Sequence, residues 1–155
     1  QRQMCIRDSA VAAGDNGAVW EDACVEFFSI PAGDGIYYNV ECNCAGILLI
    51  GAGAGRENRE HAPQEVMDKV QRWSSLGRQS FEERVGECNW ELALVIPYSA
   101  FFKHQITSLD GKTVRANFYK CGDKLQTPHF LSWNPIALEK PNFHCPEFFG
   151  TLNFE

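Results

Sequence analysis

Side chains able to ligate a metal or to act as nucleophile and base occur at His104, Cys121, His129, His144 and Cys145. A metalloenzyme or Cys/His centre needs such groups brought to one point. No pair here has helical i, i+4 spacing, and no HExxH or GxSxG frame surrounds any of them. Carboxylates are the next candidates, because glycoside hydrolysis uses two of them, one kept protonated. Glu26 and Glu41 could form such a pair, at a separation that only the fold can set. Glu41 alternates outward on a strand and reads as a solvated residue. Glu26 lies in CVEFF on the same face as Cys24 and Phe28, so its carboxylate requires a partner or a bound donor.

A second chemistry uses flat rings. Recognition of a sugar needs aromatic faces over the C–H surface of a pyranose, with a few fixed carboxylates and amides to bond its hydroxyls. Trp20 follows the loop GDNGAV just before the strand that carries Glu26, and the closing stretch SWNPIALEKPNFHCPEFFGTLNFE brings Trp133, Phe143 and His144. Asn43 and Asn117 fall on polar strand faces. Trp133 and Phe149 fit a core position equally well, and Trp20 can also be read as a strand-edge cap.

Those residues need a scaffold, and composition allows one. A chain of 155 residues with 45% hydrophobic content and 22% charge can form one domain around one core. The net charge of −6 and the scattered Lys and Arg provide no basic field for nucleic acid. No apolar run approaches the roughly 20 residues needed to cross a bilayer. Seven cysteines cannot all pair within the chain, and scattered buried thiols are expected. Residues 1–9, QRQMCIRDS, lack signal-peptide character and strand or helix periodicity, and they look like translated adapter sequence. Native protein is therefore expected from Ala10, with N-terminal strands missing.

Period-two alternation between turn signals predicts an all-β, two-sheet antiparallel β-sandwich, jelly-roll-like, with about seven strands and one short helix. Strands are expected at 24–30 and 36–43, joined as a hairpin by PAGDG, and at 47–55, 89–97, 114–120, 129–133 and 149–155. The strand at 89–97 reads as central. In the second strand Ile36, Tyr38, Val40 and Cys42 point one way and Tyr37, Asn39, Glu41 and Asn43 the other, onto a polar, wet face. In 114–120, Val114, Ala116 and Phe118 point inward, and Arg115, Asn117 and Tyr119 outward. Val66, Val70 and Trp73 recur at helical spacing behind Pro63, which predicts the helix between Pro63 and Trp73.

At VWEDACVEFF, YYNVECN and NFHCPEFFGTLNFE the chain resembles the family 9 carbohydrate-binding modules, in a branch common in gut Bacteroidetes, over about residues 10–155. The resemblance implies a two-sheet β-sandwich that binds glycans without catalysis and grips a chain end between two aromatic rings over acidic and amide groups. It places Trp20 at the first clamp tryptophan, Glu26 at the acidic ligand-binding residue and Asn43 at the amide closing the next strand. Phe143 stands at the second clamp tryptophan, with His144 on the rim, and Glu41 stands where the family has arginine. It further implies calcium in oxygen-rich loops, for which Asp15, Asn16, Asp22 and Asp34 are available. An attached or associated glycoside hydrolase and a periplasmic or extracellular setting are also implied. A β-sandwich glycoside hydrolase and a protein-interaction domain are the competing classes.

Overall fold

The computed structural model describes residues 5–155, with side chains from Arg7 onward. Residues 1–4 of the expected leader lie outside the described residues. Its remainder starts β1 (Cys5–Ala10), which pairs antiparallel with β7 (Phe81–Cys88). Asp8 is fully buried there and held by Arg84 at 2.6 Å.

The centre is an antiparallel seven-stranded sheet. It contains β2 (Cys24–Ile30), β3 (Tyr37–Asn43), β4 (Leu48–Gly53), β5 (Glu60–His61), β9 (Thr113–Gly122), β10 (His129–Ser132) and β11 (Gly150–Asn153). The β2–β3 hairpin forms where PAGDG supplies Gly33 and Gly35 at φ +71° and +87°, values that a side chain disfavours. β9 is the longest strand in the sheet. One edge of it pairs with β2, while β10 and β11 share the other.

One face of this sheet is apolar. Val40, Cys42, Leu48 and Ile50 pack against Val66, Met67 and Val70 and against Leu92 and Leu94 of β8 (Leu92–Val95), which is hydrogen-bonded to β6 (Gln71–Ser74). Tyr38, Val114 and Ala116 extend that layer toward Phe101 and Leu109. The result is the expected sandwich, with two-stranded sheets in the second layer. The strand within 89–97 is thus not central: it has a single partner, and Val95 is exposed. The helix is also shorter than its periodicity suggests. It is the single turn α1 (Gln64–Met67), capped by Pro63 in an extended conformation. Trp73 sits on β6 opposite Ala93 and is 56% exposed, because the backbone of 71–74 finds strand partners instead of continuing the helix.

The opposite face differs most from expectation. All seven residues of β3 are buried, including Tyr37, Asn39, Glu41 and Asn43. On β9, Asn117 and Tyr119 are buried, whereas Phe118 is exposed and stacked on Phe27 at 5.0 Å. The reason is coverage. Residues 141–149 fold back over this face, placing Phe149 against Phe28, Tyr37 and Tyr119, and the turn at Val19–Glu21 seals its other end around Val19, Cys24, Leu49 and Cys121. Cys24, Cys42, Cys44, Cys121 and Cys145 are buried free thiols, and Cys88 is buried as well.

Candidate functional site

Between these two covering segments the polar face stays open as a cleft of about 420 Å³. Its floor is strand-borne. Glu26 and Glu41 stand directly opposite on β2 and β3, and Tyr119 is the partner of Glu26 on β9. Cross-strand neighbours are roughly 5 Å apart at Cβ, so two carboxyls are confined together out of water. Burial, then the charge of Glu41, pushes the Glu26 carboxyl well above the usual carboxylate range. Burial raises Glu41 to about 7, against the lowering influence of the Asn39 hydrogen bond and Arg59. The wet face expected for Glu41 is therefore corrected: the residue is 4% exposed.

Glu41 accepts one hydrogen bond, from Asn39 Nδ2 at 2.8 Å. Among the described residues, no donor reaches its other oxygen, Oε2, which is buried. Asn39 is oriented by Arg59, whose Nε and Nη2 donate to Asn39 Oδ1 at 2.9 and 2.6 Å. Arg59 also donates to the carbonyls of Tyr37 and Gly55 and lies 4.1 Å above the Tyr37 ring. The Asn39 amide lies flat because β4 has glycine beneath it: a Cβ on Gly51 would sit 2.6 Å from Asn39 Oδ1. Glu41 stands where the resemblance implies a cation, and the guanidinium nearest to it, Arg59, comes from the loop after β4.

The rim comes from the covering segments. Trp20, on the Val19–Glu21 turn, lines the cleft and is 38% exposed. Its carbonyl accepts from the backbone N–H of Asp123, which fixes the turn to the end of β9. On the other wall Phe143 stacks flat on Tyr119, centroids 4.1 Å apart and planes 4° from parallel, and its carbonyl accepts from the Tyr119 hydroxyl at 3.2 Å. His144 bonds the Tyr37 hydroxyl through Nδ1 at 2.8 Å. Burial, then Arg59 and Arg56, lowers His144 to about 4, so the ring is neutral near pH 7. In the tautomer whose Nδ1 accepts from the phenol, Nε2 carries the proton and is a donor.

Four residues expected in the site, Trp20, Glu26, Phe143 and His144, therefore line one cleft. Asn43 and Asn117 do not line it. Asn43 is fully buried, donates to Asp22 Oδ2 at 2.9 Å and accepts the backbone N–H of Ala45 and Ile47. Asn117 is equally buried and joins β9 to Asn134 through Nδ2 and Oδ1. Both amides are consumed by the scaffold. Trp133 is 52% exposed and meets Phe118 edge-on outside the cleft, whereas Phe149 is core. The lining residues left out of the sequence-based site include Asn39, Arg56, Arg59, His61, Asp123 and Phe130. Only Asn39 carried a signal, its position on the same strand face as Glu41.

The oxygen donors considered for calcium do not converge. Both oxygens of Asp15 are held by Arg72 at 2.7 Å. Asp22 accepts from Ser9, Val11, Ala12 and Asn43, Asp34 pairs with His104, and Asn16 donates to the Ala62 carbonyl. Each carboxylate already faces N–H or O–H donors, so this set does not fit a calcium ion. Among the described residues no helix is long and apolar enough to cross a membrane.

A β-sandwich with a closed apolar layer and an open cleft lined by acidic and aromatic side chains fits a small-ligand binding module. The sequence profile of carbohydrate-binding family 9 matches residues 5–154, and the chain belongs to that family. It is similar to a crystal structure from Bacteroides uniformis described as a "putative carbohydrate-binding protein", with 67% sequence identity and a TM-score of 0.96 over 99% of this chain and 71% of that one. Comparison with curated proteins finds no match.

Proposed function

We propose that this cleft binds the end of a glycan chain without cleaving it, with Trp20 and Phe143 as the two walls and Glu26 and Glu41 beneath. The observation that carries the reading is the unpartnered Glu41 Oε2 on the floor of an aromatic-walled cleft. A buried acceptor without a donor is costly, and a sugar hydroxyl supplies one. The neutral His144 adds a donor at the rim, and Arg59 holds Asn39 and Glu41 in place without entering a reaction. Family membership and the Bacteroides uniformis neighbour support the same ligand class. A terminal sugar suits a cleft of about 420 Å³ that residues 141–144 line in part. Such a module would serve an attached or associated glycoside hydrolase.

The paired carboxyls of Glu26 and Glu41 favour one other reading, hydrolysis, since a raised acid beside a second carboxyl is the equipment of a glycosidase. Isothermal titration of wild type and Trp20→Ala with a panel of mono- and oligosaccharides, together with turnover assays on chromogenic glycosides, separates the readings. Binding weakened by Trp20→Ala with no turnover is expected. Turnover abolished by Glu26→Gln would establish the hydrolase instead, and sugar binding indifferent to Trp20 would remove the clamp.

A further inference from the structure

Beside the cleft and beneath Trp20, Glu26 has two buried thiols as neighbours that sugar recognition does not use. Cys24 and Cys121 stand directly opposite each other on β2 and β9, and Glu26 follows on the same face of β2. One ligand atom from each of the three, the two Sγ atoms and a carboxylate oxygen, lies within 4.8 Å of the others, and all three residues are buried. Cys121 Sγ donates to Glu26 Oε1 at 2.9 Å and also approaches the Trp20 carbonyl at 3.4 Å.

We propose that Cys24, Cys121 and Glu26 form a binding site for a thiophilic divalent cation of the Zn²⁺ type, with Glu26 the ligand that also lines the cleft. Two sulfurs and one carboxylate oxygen are a donor set that zinc accepts, and tetrahedral Zn–S and Zn–O bonds of about 2.3 and 2.0 Å need ligand atoms roughly 3.5–3.8 Å apart, inside the 4.8 Å that bounds these three. Two directly opposed cysteines on paired strands fix both sulfurs without help from a mobile loop. Burial favours a protonated Cys24 thiol and, with the charge of Glu41, a protonated Glu26 in the metal-free protein. A dipositive ion reverses that balance: the thiol and carboxyl protons pass to solvent as two metal–sulfur bonds and one metal–oxygen bond form. Asp123, whose charge acts on Glu26, adds negative potential beside the ion. Affinity therefore rises with pH.

The site shares Glu26 with the proposed sugar cleft, and it is tested with the metal alone so that its failure is distinct from a failure of sugar binding. Co²⁺ is titrated into the full chain kept reduced with a phosphine, followed by Zn²⁺. One equivalent of Co²⁺ is expected to raise thiolate-to-cobalt charge-transfer absorption with tetrahedral d–d bands, which Zn²⁺ then abolishes. Cys24→Ser and Cys121→Ser each lose the band or at least about 100-fold in affinity. Cys42→Ser, whose thiol lies in the apolar layer on the other face, keeps both. If the serine variants do not fold, Glu26→Gln is read instead, with circular dichroism as the control for folding, and is expected to lose at least about tenfold. Wild-type protein that is folded yet develops no band at one equivalent overturns the proposal. So does a band that survives in both cysteine variants, or an affinity unchanged by Glu26→Gln.

Discussion

Substituting Glu41 by glutamine should change the pH dependence of stability by an amount that the cleft floor sets. Moving this carboxyl from its ordinary 4.5 up to about 7 corresponds to about 3 kcal/mol. The fold favours the protonated acid, so that stabilisation is fully present below pH 4.5 and is lost as pH rises through about 7. Glutamine keeps a neutral group and the oxygen that accepts from Asn39 Nδ2, so the variant does not lose it. His144 slopes the other way, because a ring held down to about 4 stabilises while neutral and loses that contribution as pH falls from 6.5 through 4. The readable quantity is therefore the difference between variant and wild type. Thermal or urea denaturation of both from about pH 5 to about pH 8 should show Glu41→Gln gaining on wild type by up to about 3 kcal/mol, or roughly 6–12 °C in Tm for a chain of this size. Parallel curves would mean that Glu41 titrates as a solvated acid, and the argument for a desolvated floor would fail.

Other perturbations separate site from scaffold. Asp22→Ala strips the acceptor from four donors in the interior and should cost on the order of 4 kcal/mol in urea unfolding; a loss below about 1 kcal/mol would contradict its anchoring role. Arg59→Met removes the cation that lowers Glu41, so carboxyl carbon NMR should find Glu41 titrating above its wild-type value, and an unchanged titration would uncouple the two. Phe143→Leu removes the flat stack on Tyr119 and should weaken sugar binding about tenfold, given about 0.5–1.5 kcal/mol for the ring beyond its buried area; calorimetry giving wild-type affinity would place the second wall elsewhere.

Much of the central sheet was legible because its signals are local. PAGDG marks the β2–β3 turn, and period-two alternation marks β2, β3, β4 and β9. The covered polar face was not legible. Alternation assigns Glu41 and Asn39 to one side of a strand, but whether that side is wet depends on residues 141–149, about a hundred positions away. For the same reason Asn43 and Asn117 read as ligand-facing amides, although each satisfies backbone groups inside the fold. β6 and β8 pair only with each other, so their weak alternation resembled a helix face at Trp73 and a central strand at 89–97. β7 reads as FEERVGEC and β1 as CIRDSA, charged ribbons in which apolar periodicity has little to report. Within the site, the rings and Glu26 could be found from residue type and neighbours, whereas Arg59 enters from a Gly-rich loop that gives no pattern.

The wall formed by Trp20 is the central claim, and the indole resonances test it directly. A ¹⁵N-correlated NMR titration with the tightest-binding sugar of the panel should shift the Nε1–H of Trp20 and leave those of Trp73 and Trp133 in place, although both are more exposed to solvent. A stationary Trp20 indole at saturation, or a shift confined to Trp73 or Trp133, would contradict the account.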